Sequence, residues 1–153
     1  MMDSSVDSIV MEMKGIKGVI DAKVICERRA QITVSAEVYH SVVETFQKKG
    51  FAHIAAMTCI DSGENLELLL QIGRRAIVTV KVILPAQTPS IDSVSDILPP
   101  ASFHEREIHD LFGVEFRNCP DSSRLMLPED WPKGVFPLRK SFQPETPAPL
   151  RRP

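Results

Sequence analysis

The sequence predicts an α+β fold: a two-layer domain with a mostly antiparallel or mixed sheet, helices on one face, and an extended Pro/Arg-rich C-terminal segment. Three observations carry this prediction. Five short apolar stretches are separated by turn residues; the first two are rich in β-branched residues and the last alternates cleanly in polarity. Helical apolar spacing interrupts them near residues 6–14 and 35–49. Beyond Gly113, prolines recur too often for a long helix or a central strand.

In chain order, residues 1–5 are expected to fray. Val6 to Lys14 forms a short helix with Ile9, Val10 and Met13 on one side, ending at Gly15. Val19 to Cys26 and Gln31 to Val34 are strands around a turn at Glu27-Arg28-Arg29. The next helix takes Ser35 as N-cap, Val38, Val42, Val43 and Phe46 as its apolar stripe, and Gly50 as its stop. Phe51–Ile60, Leu66–Ile72 and Ala76–Leu84 make an antiparallel meander through turns at 61–64 and 73–75. In the last strand Val78, Val80, Val82 and Leu84 oppose Ile77, Thr79, Lys81 and Ile83, so one sheet face is partly wet. Pro85 to Pro100 reads as a linker with a turn of helix near 93–97. This gives an α+β core over 1–101, a motif helix and docking segment of the same domain over 102–143, and a flexible tail over 144–153.

Composition bounds the function. A chain of 153 residues, 43% hydrophobic and 25% charged, is long enough for one domain with a real core. A net charge of −2 and strands almost without aromatics argue against a nucleic-acid surface. No apolar run approaches the roughly 18 residues of a membrane span, so direct membrane insertion is not expected. Three widely spaced cysteines, Cys26, Cys59 and Cys119, suit a reducing compartment, and the absence of Cys-x-x-Cys argues against a cluster or structural zinc in this chain.

The chemistry-bearing residues concentrate between 102 and 140. Ser102 and Glu105 have capping-box spacing for a helix from about Phe103 to Phe112, which Gly113 would end. Arg106 and Asp110 stand four apart, as do Glu105 and His109, and such spacing predicts pairing along the helix. Glu107 has no basic neighbour there and is expected to take Arg124 or Arg139, folding the extended segment back over the helix. His104 and His109 are five apart, about 140° around a helix, so they do not form a zincin pair. Trp131 and Phe136, flanked by prolines, read as interface anchors. No phosphate loop, dinucleotide fingerprint or nucleophile elbow occurs.

Glu105-Arg106-Glu107, Asp110-Leu111-Phe112-Gly113, Pro120-Asp121, Arg124, Leu127-Pro128-Glu129-Asp130-Trp131 and Pro137-Leu138-Arg139-Lys140 resemble, in order and spacing, the signature of the family of the 30 kDa subunit of respiratory-chain NADH dehydrogenase (complex I). That family includes relatives in energy-converting hydrogenases and F420H2 dehydrogenases. The resemblance implies a cofactor-free peripheral-arm subunit that packs against a hydrogenase-like large subunit and a cluster-bearing small subunit. Iron–sulphur clusters, and in the hydrogenase branch a NiFe centre, would belong to those partners. The complex would lie on the cytoplasmic face of the membrane, reached through partner subunits. Asn118-Cys119-Pro120 stands where the respiratory subunit has Gly-His-Pro, and Gly134-Val135-Phe136-Pro137 departs in the same way, which is more similar to the archaeal and hydrogenase-type members. The alternatives are a subunit of an energy-converting NiFe hydrogenase and, from another class, a stand-alone metal-dependent hydrolase using His104, His109 or Cys119.

Overall fold

The computed structural model describes residues 6–144; the tail expected over 144–153 and the frayed residues 1–5 lie almost entirely outside that range. Helix α1 (Val6–Lys14) leads into strands β1 (Val19–Cys26) and β2 (Arg29–Val34), then α2 (Tyr39–Lys48). Strands β3 (His53–Asp61), β4 (Asn65–Gly73) and β5 (Ile77–Pro85) follow. A short β6 (Ser90–Asp92), α3 (Ala101–Phe112) and β7 (Glu115–Arg117) complete the described elements. The α+β architecture with a mixed five-stranded sheet is as the sequence predicts.

The sheet runs β1-β2-β5-β4-β3, and the expected meander β3-β4-β5 is antiparallel throughout. Within this sheet only β2 and β5 pair in parallel. A parallel neighbour needs a long connection, and here it contains α2, β3 and β4. Two rows show how alternation builds the core. Val34, Val82, Leu68 and Cys59 lie side by side across four strands, and so do Ile32, Val80, Leu70 and Met57. All eight are buried, in one core with Ile9, Val10 and Met13 of α1, Val42, Val43 and Phe46 of α2, and Ile108 and Phe112 of α3. Burying side chains of this size supplies roughly 1.5–3 kcal/mol each, which is why the period-2 pattern dictates the sheet's inner face. The opposite face is partly wet: Ile60 and Ile83 are exposed and a Lys81–Glu67 ion pair of 2.7 Å crosses it.

Three local expectations are corrected. Ser35 does not cap α2: the helix starts at Tyr39, the preceding Val38 offers no side-chain cap, and the Ser35 hydroxyl donates to Glu37. Its N–H is committed to the Gly18 carbonyl, which ties the approach to the helix to the start of β1. Helix α3 begins two residues early, at Ala101, after the turn at Pro99-Pro100. Residues 85–100 are more than a linker. Ile91, Val94 and Leu98 are fully or almost fully buried, and β6 pairs in parallel with β7, an element too short to show a period. The expected helical turn is present as Val94 accepting from Ile97 and Leu98.

Replacing Ile91 by Ala is therefore expected to lower unfolding free energy by about 2–5 kcal/mol, as for other buried aliphatic truncations. Urea denaturation measures it; a loss below about 1 kcal/mol would return this stretch to the status of a linker.

Candidate interface: a motif helix and its strap

Helix α3 carries the charged motif, and residues 118–142 run back over it without regular structure. A segment of that kind has backbone N–H and C=O groups that neither a helix nor a sheet ladder satisfies. The motif side chains satisfy several of them. One oxygen of Asp110, Oδ2, accepts from the N–H of Leu125 at 2.8 Å, Met126 at 2.9 Å and Leu127 at 3.3 Å. Arg106 donates through Nε to the Ser123 carbonyl and through Nη2 to the Ser123 hydroxyl and the Arg124 carbonyl, and Nη1 pairs with Asp121 at 3.2 Å. Arg124 in turn donates to the carbonyls of Pro128 and Trp131, and the Trp131 indole N–H donates to Val135.

The far end of the strap closes the C-terminus of α3. Gly113 takes the left-handed conformation (φ 73°) and donates to the His109 carbonyl. Two further open carbonyls find partners in the strap. Phe112 accepts from Arg139 Nε at 2.6 Å and Leu111 accepts from the Leu138 N–H at 3.1 Å. A guanidinium at that position also faces the negative end of the helix dipole. Arg139 reaches on through Nη1 to the Ala86 carbonyl at 2.8 Å, and the Lys140 N–H donates to Asp61 at 2.8 Å. Gly113 is needed twice, because a β-carbon there would stand 2.4 Å from the Phe136 ring.

These contacts replace the pairings expected along the helix. Arg106 and Asp110 do not bond each other; each is turned to the strap. Glu105 and His109 do not pair either, since His109 Nδ1 bonds the Val114 carbonyl. The capping box is absent because Glu105 points inward. It is 1% exposed, accepts from the Val94 N–H at 2.9 Å and lies 2.6 Å from the Ser93 hydroxyl, which bonds Ser95. The expected Glu107 pair with Arg124 or Arg139 is not formed: both guanidiniums hold carbonyls, and among the described residues Glu107 makes no ion pair. Carbonyls win because neutral acceptors near a partly exposed arginine avoid the desolvation of a buried carboxylate.

The other motif positions fall into place around this. Pro120 is exposed, Pro137 is half-buried, and Pro128 lends its carbonyl. Trp131 is half-buried against Phe142, with ring centres 6.2 Å apart, and Phe136 is spent inside the strap against Gly113 and Arg139. Leu138 is 52% exposed, and with it stand Phe103 at 62%, Met126 at 55% and Leu125 at 41%. The sequence reading chose the aromatics flanked by proline and missed Phe103, on the outer face of α3, and Leu125 and Met126, whose exposure follows from the strap's path rather than from any spacing.

Electrostatics separates the two buried acids. Burial pushes the Glu105 carboxyl above its usual range, although Ser93 and Val94 partly offset this. Burial also acts to raise Asp110, but three N–H donors outweigh it and hold Asp110 below its ordinary value. A cavity of about 520 Å³ opens between α3 and residues 115–122, lined by Glu105, Arg106, His109, Arg117 and Cys119 among others. The Cys119 thiol is pushed up by burial and by Glu105, so it is a weak nucleophile there. Among the described residues no group of three or more His, Cys, Asp or Glu side chains is placed to hold a metal.

A depressed carboxylate contributes stability that is present above its unfolded value, about 3.9, and lost as pH falls through the lower folded value. Trp131 fluorescence is therefore expected to report strap release only in acid. Asp110→Asn, which loses the charge but keeps one acceptor, should cost about 1–3 kcal/mol and remove that acid transition. An unchanged acid transition in the variant would assign it to another group.

Comparison with known proteins agrees with this geometry. The chain is 30% identical over 145 residues to the C subunit of NADH-quinone oxidoreductase from Moorella thermoacetica, covering 92% of this chain and 97% of that protein. It is 40% identical over 73 residues to formate hydrogenlyase subunit 5 of Escherichia coli, covering 48% of this chain but only 13% of that longer protein. Among solved structures, a chain of the membrane-bound sulfane sulfur reductase, an archaeal respiratory membrane complex, superposes with a TM-score of 0.75 at 24% identity, over 90% of this chain and 85% of that one, which shows a shared fold. Residues 32–148 match the family described as respiratory-chain NADH dehydrogenase, 30 Kd subunit, and the chain belongs to that family.

Proposed function

We propose that this complex-I-like peripheral subunit acts as a scaffold, using α3 and its strap to hold a hydrogenase-like large subunit beside a cluster-bearing small subunit. The observation that carries this reading is a rigidly pinned, irregular backbone that presents Leu125, Met126 and Leu138 outward, with Phe103 exposed on α3. Apolar side chains on a backbone already ordered by internal hydrogen bonds bind with little further loss of conformational entropy. Exposed Met126 and Phe103, with Arg and Trp in the same region, also match the composition of the buried centre of protein interfaces.

In this account the iron–sulphur clusters reside in the partners, and the present chain positions them without holding one. The site supports that division of labour, because its thiol is depressed in reactivity and its buried carboxyl is engaged by Ser93 and Val94. No helix among the described residues is long and apolar enough to cross a membrane, so attachment to the inner face of the membrane would be through the partner subunits.

The test is a tagged pull-down from the native membrane fraction with partners identified by mass spectrometry. The expected result is recovery with both a hydrogenase-like large subunit and a cluster-bearing small subunit. Leu125→Glu with Met126→Glu should reduce that recovery at least ~10-fold, about 1.4 kcal/mol or more, while the fold is retained. A wild-type chain recovered alone would contradict the proposal.

A further inference from the structure

The end of the sheet opposite the strap has its own charge pattern. The turn between β1 and β2 carries Arg28 and leads into Arg29; the turn between β4 and β5 carries Arg74 and Arg75. Because β2 and β5 are neighbours in parallel register, with Arg29 beside Ile77, these two turns emerge side by side. The Ile77 N–H donates to the Arg28 carbonyl at 2.9 Å, which fixes one turn to the other. All four arginines are exposed. Arg74 reaches the Lys49 carbonyl at the end of α2, at 3.4 Å. Arg28, Arg29 and Arg75 make no ion pair among the described residues. Nearby Lys48 and Lys49 are already matched by Glu44 and Glu12, each at 2.7 Å, so Glu27 is the carboxylate left within these turns. In a chain of net charge −2, this is a concentrated positive pole.

Arginine in place of lysine suits carboxylate recognition, because the planar guanidinium can bind a carboxylate through two hydrogen bonds. Anchoring on adjacent sheet turns pre-orders the four side-chain bases. The tips of the turns carry no large apolar side chain that could enter a bilayer. The exposed Val24 and Ile25 lie along the free edge of β1 instead, where they extend the patch sideways as in a protein interface. The strap is fixed at the other end of the sheet, through Lys140 to Asp61 and Arg139 to Ala86, so the pole faces away from the scaffold surface.

We infer that this arginine pole is a second docking surface, for the acidic face of another protein that associates transiently. Steering by charge with little apolar burial gives fast, salt-sensitive encounter rather than permanent assembly. The inference rests on the scaffold reading only in taking the strap end as the assembled one.

The test uses the full chain with poly-L-glutamate as the acidic probe and phosphatidylglycerol vesicles as the lipid probe. Poly-L-glutamate is expected to bind, with affinity falling ~10-fold as ionic strength rises from about 50 to 200 mM. Substituting Arg28, Arg29, Arg74 and Arg75 by Gln should weaken binding at least ~10-fold. Substituting Lys14, Lys17, Lys133 and Lys140 by Gln, an equal change in charge elsewhere, should weaken it less than about twofold. The double variant Arg28→Gln with Arg75→Gln, which removes no side-chain hydrogen bond seen among the described residues, should show an intermediate loss. Equal losses in the two quadruple variants would reduce the effect to net charge and overturn the inference. Vesicle binding that depends on the arginines, with poly-L-glutamate indifferent to them, would overturn it in favour of a lipid surface. A folded arginine variant that no longer co-purifies with the complex would overturn it by making the pole part of the assembly interface. Failure of the wild-type chain to assemble would instead strike the scaffold reading and leave the poly-L-glutamate result intact.

Discussion

A single carboxylate oxygen of Asp110, accepting three consecutive backbone amides, is the contact on which the strap depends. Those amides belong to a proline-interrupted segment that cannot join a sheet or a helix, so without an acceptor they would face either solvent or an unsatisfied interior. Arg106 does the complementary work one turn away, donating to the carbonyls that flank the same amides. Together an acid and a base on one helix face act as surrogate secondary structure for a chain that has none. The arrangement places exposed apolar side chains on an ordered backbone, and that is the physical basis of the proposed scaffold.

The same logic explains why the helix ends where it does. Gly113 turns left-handed, Phe136 occupies the space a side chain would fill, and Arg139 and Leu138 satisfy carbonyls that every helix leaves open at its C-terminus. Arg139 then links the helix end to Ala86, after β5, while Lys140 links to Asp61, at the end of β3. The strap is thus fastened to the sheet as well as to the helix.

Much of the fold was readable from the sequence because it rests on periodic burial. Val78, Val80, Val82 and Leu84 alternate, and alternation has one reading when a face must be dry. Ile9, Val10 and Met13 behave the same way at helical spacing. The motif helix, Gly113 as its stop and the extended strap were also legible. The partners of its charges were not. Arg106–Asp110 and Glu105–His109 have the spacing of helix pairs, yet all four groups bond elsewhere, because a backbone acceptor or donor leaves no mark in residue type. Ser93 and Ser95 sit unremarked in an apparent linker for that reason; only the buried Glu105 facing them reveals their role. Tyr39, fully buried with its hydroxyl unpartnered among the described residues, equally has no sequence signal.

The central claim is that the strap is held by the helix, independently of any partner, and amide hydrogen exchange on the isolated chain tests it most directly. The amides of Leu125, Met126, Leu138 and Lys140 are accepted by Asp110, Leu111 and Asp61, although the side chains of all four residues are exposed. The account predicts that these four exchange at least ~100-fold slower than an unstructured chain, as local opening free energies near 3 kcal/mol require. Exchange at unstructured rates would show that the strap is ordered only by a partner, and the preformed scaffold surface would have to be abandoned.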